Sequence, residues 1–266
     1  SQRPRIEFTG EHEFKYRVDF ENLKVDDDIA AICVSRPTNP TGNVLTDNEI
    51  AKLSKLADAH HIPLIIDNAY GAPFPNVIFT EATPVWNENI ILTLSLSKLG
   101  LPGTRTGIVI ARPEIINAVS SMTSIMGLAN TNTGQAVVEP LIRSGEILRL
   151  SNEVVQPFYR AKSAQALEWV KQYFDSSIDY YIHRSEGALF LWAWFKDLPI
   201  TSRELYERLK ARGVLVVPGS YFFFGQEDRD WPHRDECLRI NFTMPAEDVE
   251  AGIRIIGEEV AKAYGE

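Results

Sequence analysis

Cysteine is nearly absent from this chain. Only Cys33 and Cys237 occur among 266 residues. No C-x-x-C or H-x₃-H spacing accompanies them, which argues against zinc. Each sits in a short apolar stretch and is expected to be a small buried hydrophobe. Long hydrophobic runs are missing too. The longest, Ala188 to Phe195, is far shorter than the about 20 residues a bilayer-spanning helix needs. No basic, apolar and small-residue sequence opens the chain, so no signal peptide is expected. Positive charge is scarce: 27 Lys and Arg against 36 Asp and Glu leave a formal charge of −9. Such a surface is a poor partner for nucleic acid, whose affinity comes mainly from cations on phosphates. Internal repeats and low-complexity segments are also lacking. The expectations are a reducing cytoplasm, no membrane, no nucleic acid and no metal.

What remains is the balance of a globular protein, with 44% hydrophobic and 24% charged residues. The length allows one large domain or two modest ones. Short apolar strands at Ile29 to Val34, Pro63 to Ile66, Ile90 to Leu96 and Gly107 to Ala111 alternate with helical stretches. Thr46-Asp47-Asn48-Glu49 is a capping box, so a helix starts near Asp47. This pattern predicts a largely parallel sheet covered on both faces. From Pro113 to Phe174 the pattern is helical. Val154, Phe158, Leu167, Val170 and Phe174 could share one face, and Pro157 should mark a first turn or a kink. After Asp175 strands return, at Ile178 to His183, Ala188 to Phe195, Val214 to Val217 and Cys237 to Phe242. Helices follow at Ser202 to Arg212 and Ala246 to Ala263. This second half reads as a smaller α+β domain, with a boundary near residue 152.

Three strands run into unusual polar loops. They are Ser35-Arg36-Pro37-Thr38-Asn39-Pro40-Thr41-Gly42, Asp67-Asn68-Ala69-Tyr70, and Ser97-Lys98 followed by Gly100 to Arg105. Ligands of open α/β sheets bind beyond the carboxyl ends of strands, so these loops should converge on one crevice. Ser95, Ser97 and Arg105 suit an oxyanion such as phosphate. Lys98, beside a guanidinium and partly withdrawn from water, is a nucleophile toward a carbonyl. Asp67 could keep a heterocyclic nitrogen protonated. Together with the phenol of Tyr70 and the amide of Asn39, the set describes a site for pyridoxal 5'-phosphate.

Asn39-Pro40-Thr41-Gly42, Asp67-x-x-Tyr70, Ser95-x-Ser97-Lys98 with Arg105, and Leu238-Arg239-Ile240-Asn241-Phe242 resemble the ordered signature of class I aminotransferases of fold type I. Ile32 to Val44, Ser95 to Gly103, Phe190 to Thr201 and Leu209 to Gly219 resemble members that act on an aliphatic amino acid and pyruvate. The resemblance implies an α/β fold, with a mostly parallel central sheet between helices and a small α+β domain. Residues 1–152 would be the C-terminal part of the large domain and 153–266 the small domain. It implies Lys98 as the catalytic amine that binds the cofactor and shuttles a proton. Asp67 would pair with the pyridine nitrogen, Tyr70 and Asn39 with the phenolic oxygen, and Ser95, Ser97 and Arg105 with the phosphate. Arg239 would grip the substrate carboxylate with help from Asn39. A ping-pong transfer between valine or alanine and pyruvate or another 2-oxo acid follows, in a homodimer.

The family has a substantial stretch before the N-P-T-G loop, with a Gly/Ser turn at the phosphate and an aromatic ring over the cofactor. This chain reaches Asn39 almost at once, with only Gly10 upstream, and resembles the C-terminal two-thirds of such an enzyme. Other readings stay open. They are an aromatic or alanine aminotransferase, a β-lyase, or an aminotransferase-like fragment without catalysis. Asn-Pro-Thr-Gly alone is also ordinary turn chemistry. Tyr221 to Phe224 reads first as core or interface.

Overall fold

The computed structural model describes residues 2–129, 131–226 and 230–265. Its contacts divide the chain into two compact units. One contains Lys24–Thr38 and Val44–Phe158, and the other Ser1–Leu23, Asn39–Asn43 and Tyr159–Glu266.

Outside the second unit's hairpin, β1 (Arg5–Gly10) and β2 (Glu13–Arg17), the first unit begins with β3 (Ile32–Ser35), α1 (Asp47–Ala59), β4 (Leu64–Asp67), β5 (Ile90–Ser95) and β6 (Gly107–Ile110). The sheet order is β3-β4-β5-β6. The first three strands are parallel, and β6 is antiparallel to β5. Thr46 caps α1 with the reciprocal Glu49 bond the sequence predicts. Leu64, Ile66, Ile90, Leu92 and Leu94 are buried on one sheet face. Helices α2 (Pro113–Gly127), α3 (Thr133–Ser144) and α4 (Glu146–Leu150) follow. Val138 of α3 and Ile147 of α4 pack against Leu94 and Leu96.

The unit has the α/β character and the mostly parallel sheet that the sequence predicts. On the other face Cys33, Asp67 and Val109 are exposed, and Ile65, Thr93 and Ser95 are half-buried. Cys33 is therefore corrected from a buried hydrophobe to an exposed thiol, whereas Cys237 is buried. The reason is that helix contact falls on the alternate set of side chains, and strand period sends Cys33 the opposite way from Ile32 and Val34. Helix α2 buries none of its residues, and Met122, Ile125 and Met126 are exposed.

A π-helical turn, Ser151–Val155, joins α4 to α5 (Gln156–Tyr173). Pro157 stands in the first turn of α5. Its ring would strike the carbonyl four residues back in a continuous α-helix, and the wider turn relieves this. Val154 and Phe158 are exposed, while Val170 and Phe174 are buried. The single face expected for all five residues does not form.

The second unit holds a six-stranded sheet, ordered β1-β2-β7-β8-β10-β9. Its later strands are β7 (Tyr180–His183), β8 (Phe190–Phe195), β9 (Val217–Pro218) and β10 (Cys237–Asn241). Helices α6 (Ser202–Ala211) and α7 (Ala246–Gly265) belong here. The assignment of all of 1–152 to one domain differs from this division. Residues 5–17 form the hairpin, and β2 pairs in parallel with β7 through Phe14 opposite His183. Phe14, Tyr16, Trp192, Trp194 and Cys237 then make one buried cluster. Removing that aromatic surface from water supplies roughly 1.5–3 kcal/mol for each large side chain.

Candidate active site

The α/β unit gathers six of the candidates. Asp67 ends β4, level with Thr93 of β5. Ser95 ends β5, and its hydroxyl accepts from the Ser97 amide at 3.2 Å. Ser97 and Lys98 lie in a 3₁₀ turn, Ser97–Leu99, that closes at Gly100 with φ 106. Tyr70 is buried, and the Lys98 ammonium stands 5.2 Å from its ring centroid. The sequence thus brings an acid, a phenol, two hydroxyls and an amine to the carboxyl end of one sheet, where open α/β sheets take ligands. Asp67 also accepts from the Ala69 amide at 3.1 Å, which orients its carboxylate. Its negative charge and partial burial together push the Cys33 thiol up from 9.0, burial being the larger cause.

Arg105 is held differently. Its backbone is left-handed at φ 48, and its guanidinium donates to the Pro102 carbonyl at 3.1 Å. The cation is exposed and tied to its own loop.

The other two candidates belong to the second unit. Asn39 and Arg239 are brought together: Arg239 Nη1 donates to Asn39 Oδ1 at 2.7 Å. The Asn-Pro-Thr-Gly turn that carries Asn39 is anchored in this unit. Asn43 donates to the Tyr16 carbonyl at 3.2 Å. Gly42 has φ +70, and a Cβ there would lie 2.7 Å from the Gly187 carbonyl oxygen. The turn needs glycine for its backbone as well as for this close approach. Turn chemistry and site geometry therefore coexist in the motif.

Arg239 alternates with buried Leu238 and Ile240, as its strand period predicts. Its guanidinium carbon lies 4.4 Å from the Phe190 ring centroid and 5.1 Å from that of Phe222. Sequence reasoning did not connect either ring to Arg239. The available signal was the alternation Phe190, Trp192, Trp194 along β8, which puts large rings on one face. Behind them Trp192 Nε1 donates to the Tyr16 hydroxyl at 3.0 Å, and that hydroxyl bonds to His233 Nε2. Burial pushes the Tyr16 phenol well above its ordinary value and lowers His233 to about 3.

The sequence matches the family described as Aminotransferase class I and II over residues 2–256. It is 52% identical to valine–pyruvate aminotransferase of Escherichia coli K12 over all of this chain and 63% of that protein. The crystal structure of valine-pyruvate aminotransferase AvtA from Salmonella typhimurium LT2 matches with a TM-score of 0.95 at 52% identity. That match covers 99% of this chain and 67% of that one. The multiple substrate aminotransferase of Thermococcus profundus shares the fold, with a TM-score of 0.75 at 24% identity over 89% of this chain and 57% of its own. The chain spans a little under two-thirds of the Escherichia coli relative's length. With the matched region running through both units, the chain belongs to the class I and II aminotransferase family.

Proposed function

We propose that the whole protein is an aminotransferase that uses pyridoxal 5'-phosphate and moves an amino group between valine or alanine and pyruvate. The observation that carries the reading is the Lys98 amine over the Tyr70 ring, at the sheet end where Asp67, Ser95 and Ser97 also stand. The donor set fits the cofactor: an amine for its aldehyde, an acid for its ring nitrogen, a phenol for its phenolic oxygen, and hydroxyls with a cation for its phosphate. When bound, that group supplies an electron sink for the bond at the substrate's α-carbon.

The chain's own residues do the rest. Lys98 holds the cofactor and afterwards carries a proton to and from the substrate α-carbon. Asp67, oriented by the Ala69 amide, keeps the ring nitrogen protonated. Tyr70 donates to the phenolic oxygen, with Asn39 assisting. Ser95, Ser97 and Arg105 would hold the phosphate. Arg239 grips the substrate carboxylate through paired N–H groups, with Asn39 fixing the guanidinium. The choice of an aliphatic donor draws on the 52% identity to the Escherichia coli protein named for valine and pyruvate. A homodimer in a reducing cytoplasm belongs to the same reading. Among the described residues no helix is long and apolar enough to cross a membrane.

The test is amino transfer by the purified whole-length protein. With valine and pyruvate it should form alanine and the matching branched 2-oxo acid by ping-pong kinetics. Aspartate should be a donor at least about tenfold worse, as an unpaired second carboxylate costs more than 1.4 kcal/mol. Preference for aspartate, or no transfer with added cofactor, refutes the assignment.

A further inference from the structure

We infer that Phe222 and Phe190 are positioning residues for Arg239, holding its guanidinium in the orientation that receives the substrate carboxylate. This rests on the role proposed above for Arg239. Both ring faces are turned toward the same guanidinium carbon, at 4.4 Å for Phe190 and 5.1 Å for Phe222. The sheet register explains the first. Arg239 pairs with Trp192 and Asn241 with Phe190, so Phe190 is the diagonal neighbour of Arg239 on the same face. The second comes from a short 3₁₀ turn, Gly219–Phe222, that follows β9.

The rings are themselves fixed. Phe190 is buried, and Phe222 meets the fully buried Trp192 edge-on, with centroids 5.8 Å apart and planes at 83°. Trp192 is tied by its indole N–H to Tyr16. Arg239 is thus fastened in two ways. Asn39 holds one nitrogen by a hydrogen bond, and two negative ring faces attract the delocalised cation. A long side chain with several rotatable bonds loses entropy when it binds a carboxylate. Prior fastening removes part of that cost from substrate binding. The effect falls equally on an amino acid and a 2-oxo acid, since both present the same carboxylate.

Phe222→Leu keeps an apolar side chain against Trp192 and removes the ring face, and Phe222→Tyr keeps the ring. In the whole-length protein, Phe222→Leu should raise KM for valine and pyruvate together by about five- to tenfold, with kcat changed by less than about twofold. Calorimetric Kd for isovalerate, which has the carboxylate and branched chain but no nitrogen, should rise by the same factor. Phe222→Tyr should restore both to within about twofold of the parent. Parent values of KM and Kd in Phe222→Leu overturn the inference, as does equal impairment of the Leu and Tyr variants. A parent protein that neither transfers an amino group nor binds isovalerate refutes the reading of Arg239 itself, and this inference with it. An active parent with an unaffected Phe222→Leu refutes the positioning role alone.

Discussion

Arg239 donates a 2.7 Å hydrogen bond to the side-chain oxygen of Asn39, a residue 200 positions earlier in the chain. The bond ties a strand residue to a turn in the same unit. If the pair acts together on a carboxylate, its members must be coupled. Arg239→Gln should raise KM for both substrates about 100-fold or more, the usual cost of removing a charged binding partner. Asn39→Ala should cost about tenfold. A double-mutant cycle on KM should show a coupling of about 1 kcal/mol. Strict additivity would show that the bond has no part in binding.

Gly42→Ala should destabilise the second unit. The new Cβ would meet the Gly187 carbonyl at 2.7 Å on a backbone already left-handed. About 1–3 kcal/mol is expected, read as a lower urea midpoint at unchanged slope. Asn43→Ala at the same turn should cost about 1 kcal/mol through its lost bond to Tyr16.

Acid should weaken the same unit early. Burial pushes His183 and His233 down from 6.5 to about 3. Between those values the unfolded chain binds protons that the native imidazoles refuse. Stability is therefore complete above pH 6.5 and is lost as pH falls toward 3, by up to about 1.4 kcal/mol per unit for each histidine. Urea midpoints at pH 7.5, 6 and 5 should fall in step. Relative to the parent, His233→Asn should show a shallower slope. A midpoint independent of pH over this range would contradict the buried neutral imidazoles.

Thiol titration distinguishes the two cysteines. Cys33 is exposed and Cys237 buried. Ellman's reagent should modify Cys33 alone in the native protein, and Cys237 only after denaturation. Partial withdrawal from water and, secondly, the Asp67 charge hold the Cys33 thiol up, so its reaction should be slow at pH 7 and quicken at alkaline pH. Asp67→Asn should speed it. No change in rate on that substitution would argue against the placing of Asp67 beside Cys33.

The local features of the fold were legible because their causes are local. The Thr46–Glu49 capping box, the Leu92 and Leu94 alternation against Thr93 and Ser95, and Gly213 at φ +81 after α6 each follow from neighbouring residues. The grouping of Asp67, Tyr70, Ser95, Ser97 and Lys98 was legible for a related reason: strands in a parallel sheet end on the same side. Other features depend on partners far along the chain. The hairpin of residues 5–17 went unread in the sequence, and only its pairing with β7 decides which unit it joins. Cys33 shares its apolar neighbours with buried strands, and the covered face decided its exposure. Phe190 and Phe222 became neighbours of Arg239 through the β8–β10 register and the turn after β9. The β8 alternation puts Phe190 on a ring-bearing face, but it does not say that Arg239 shares that face or that Phe222 comes to it.

The role of Lys98 can be read directly. The whole-length protein, loaded with pyridoxal 5'-phosphate and treated with borohydride, is digested and its peptides weighed. The phosphopyridoxyl group should sit on Lys98, and Lys98→Ala should carry none. A label on any other lysine, or no label on the parent, would contradict the account.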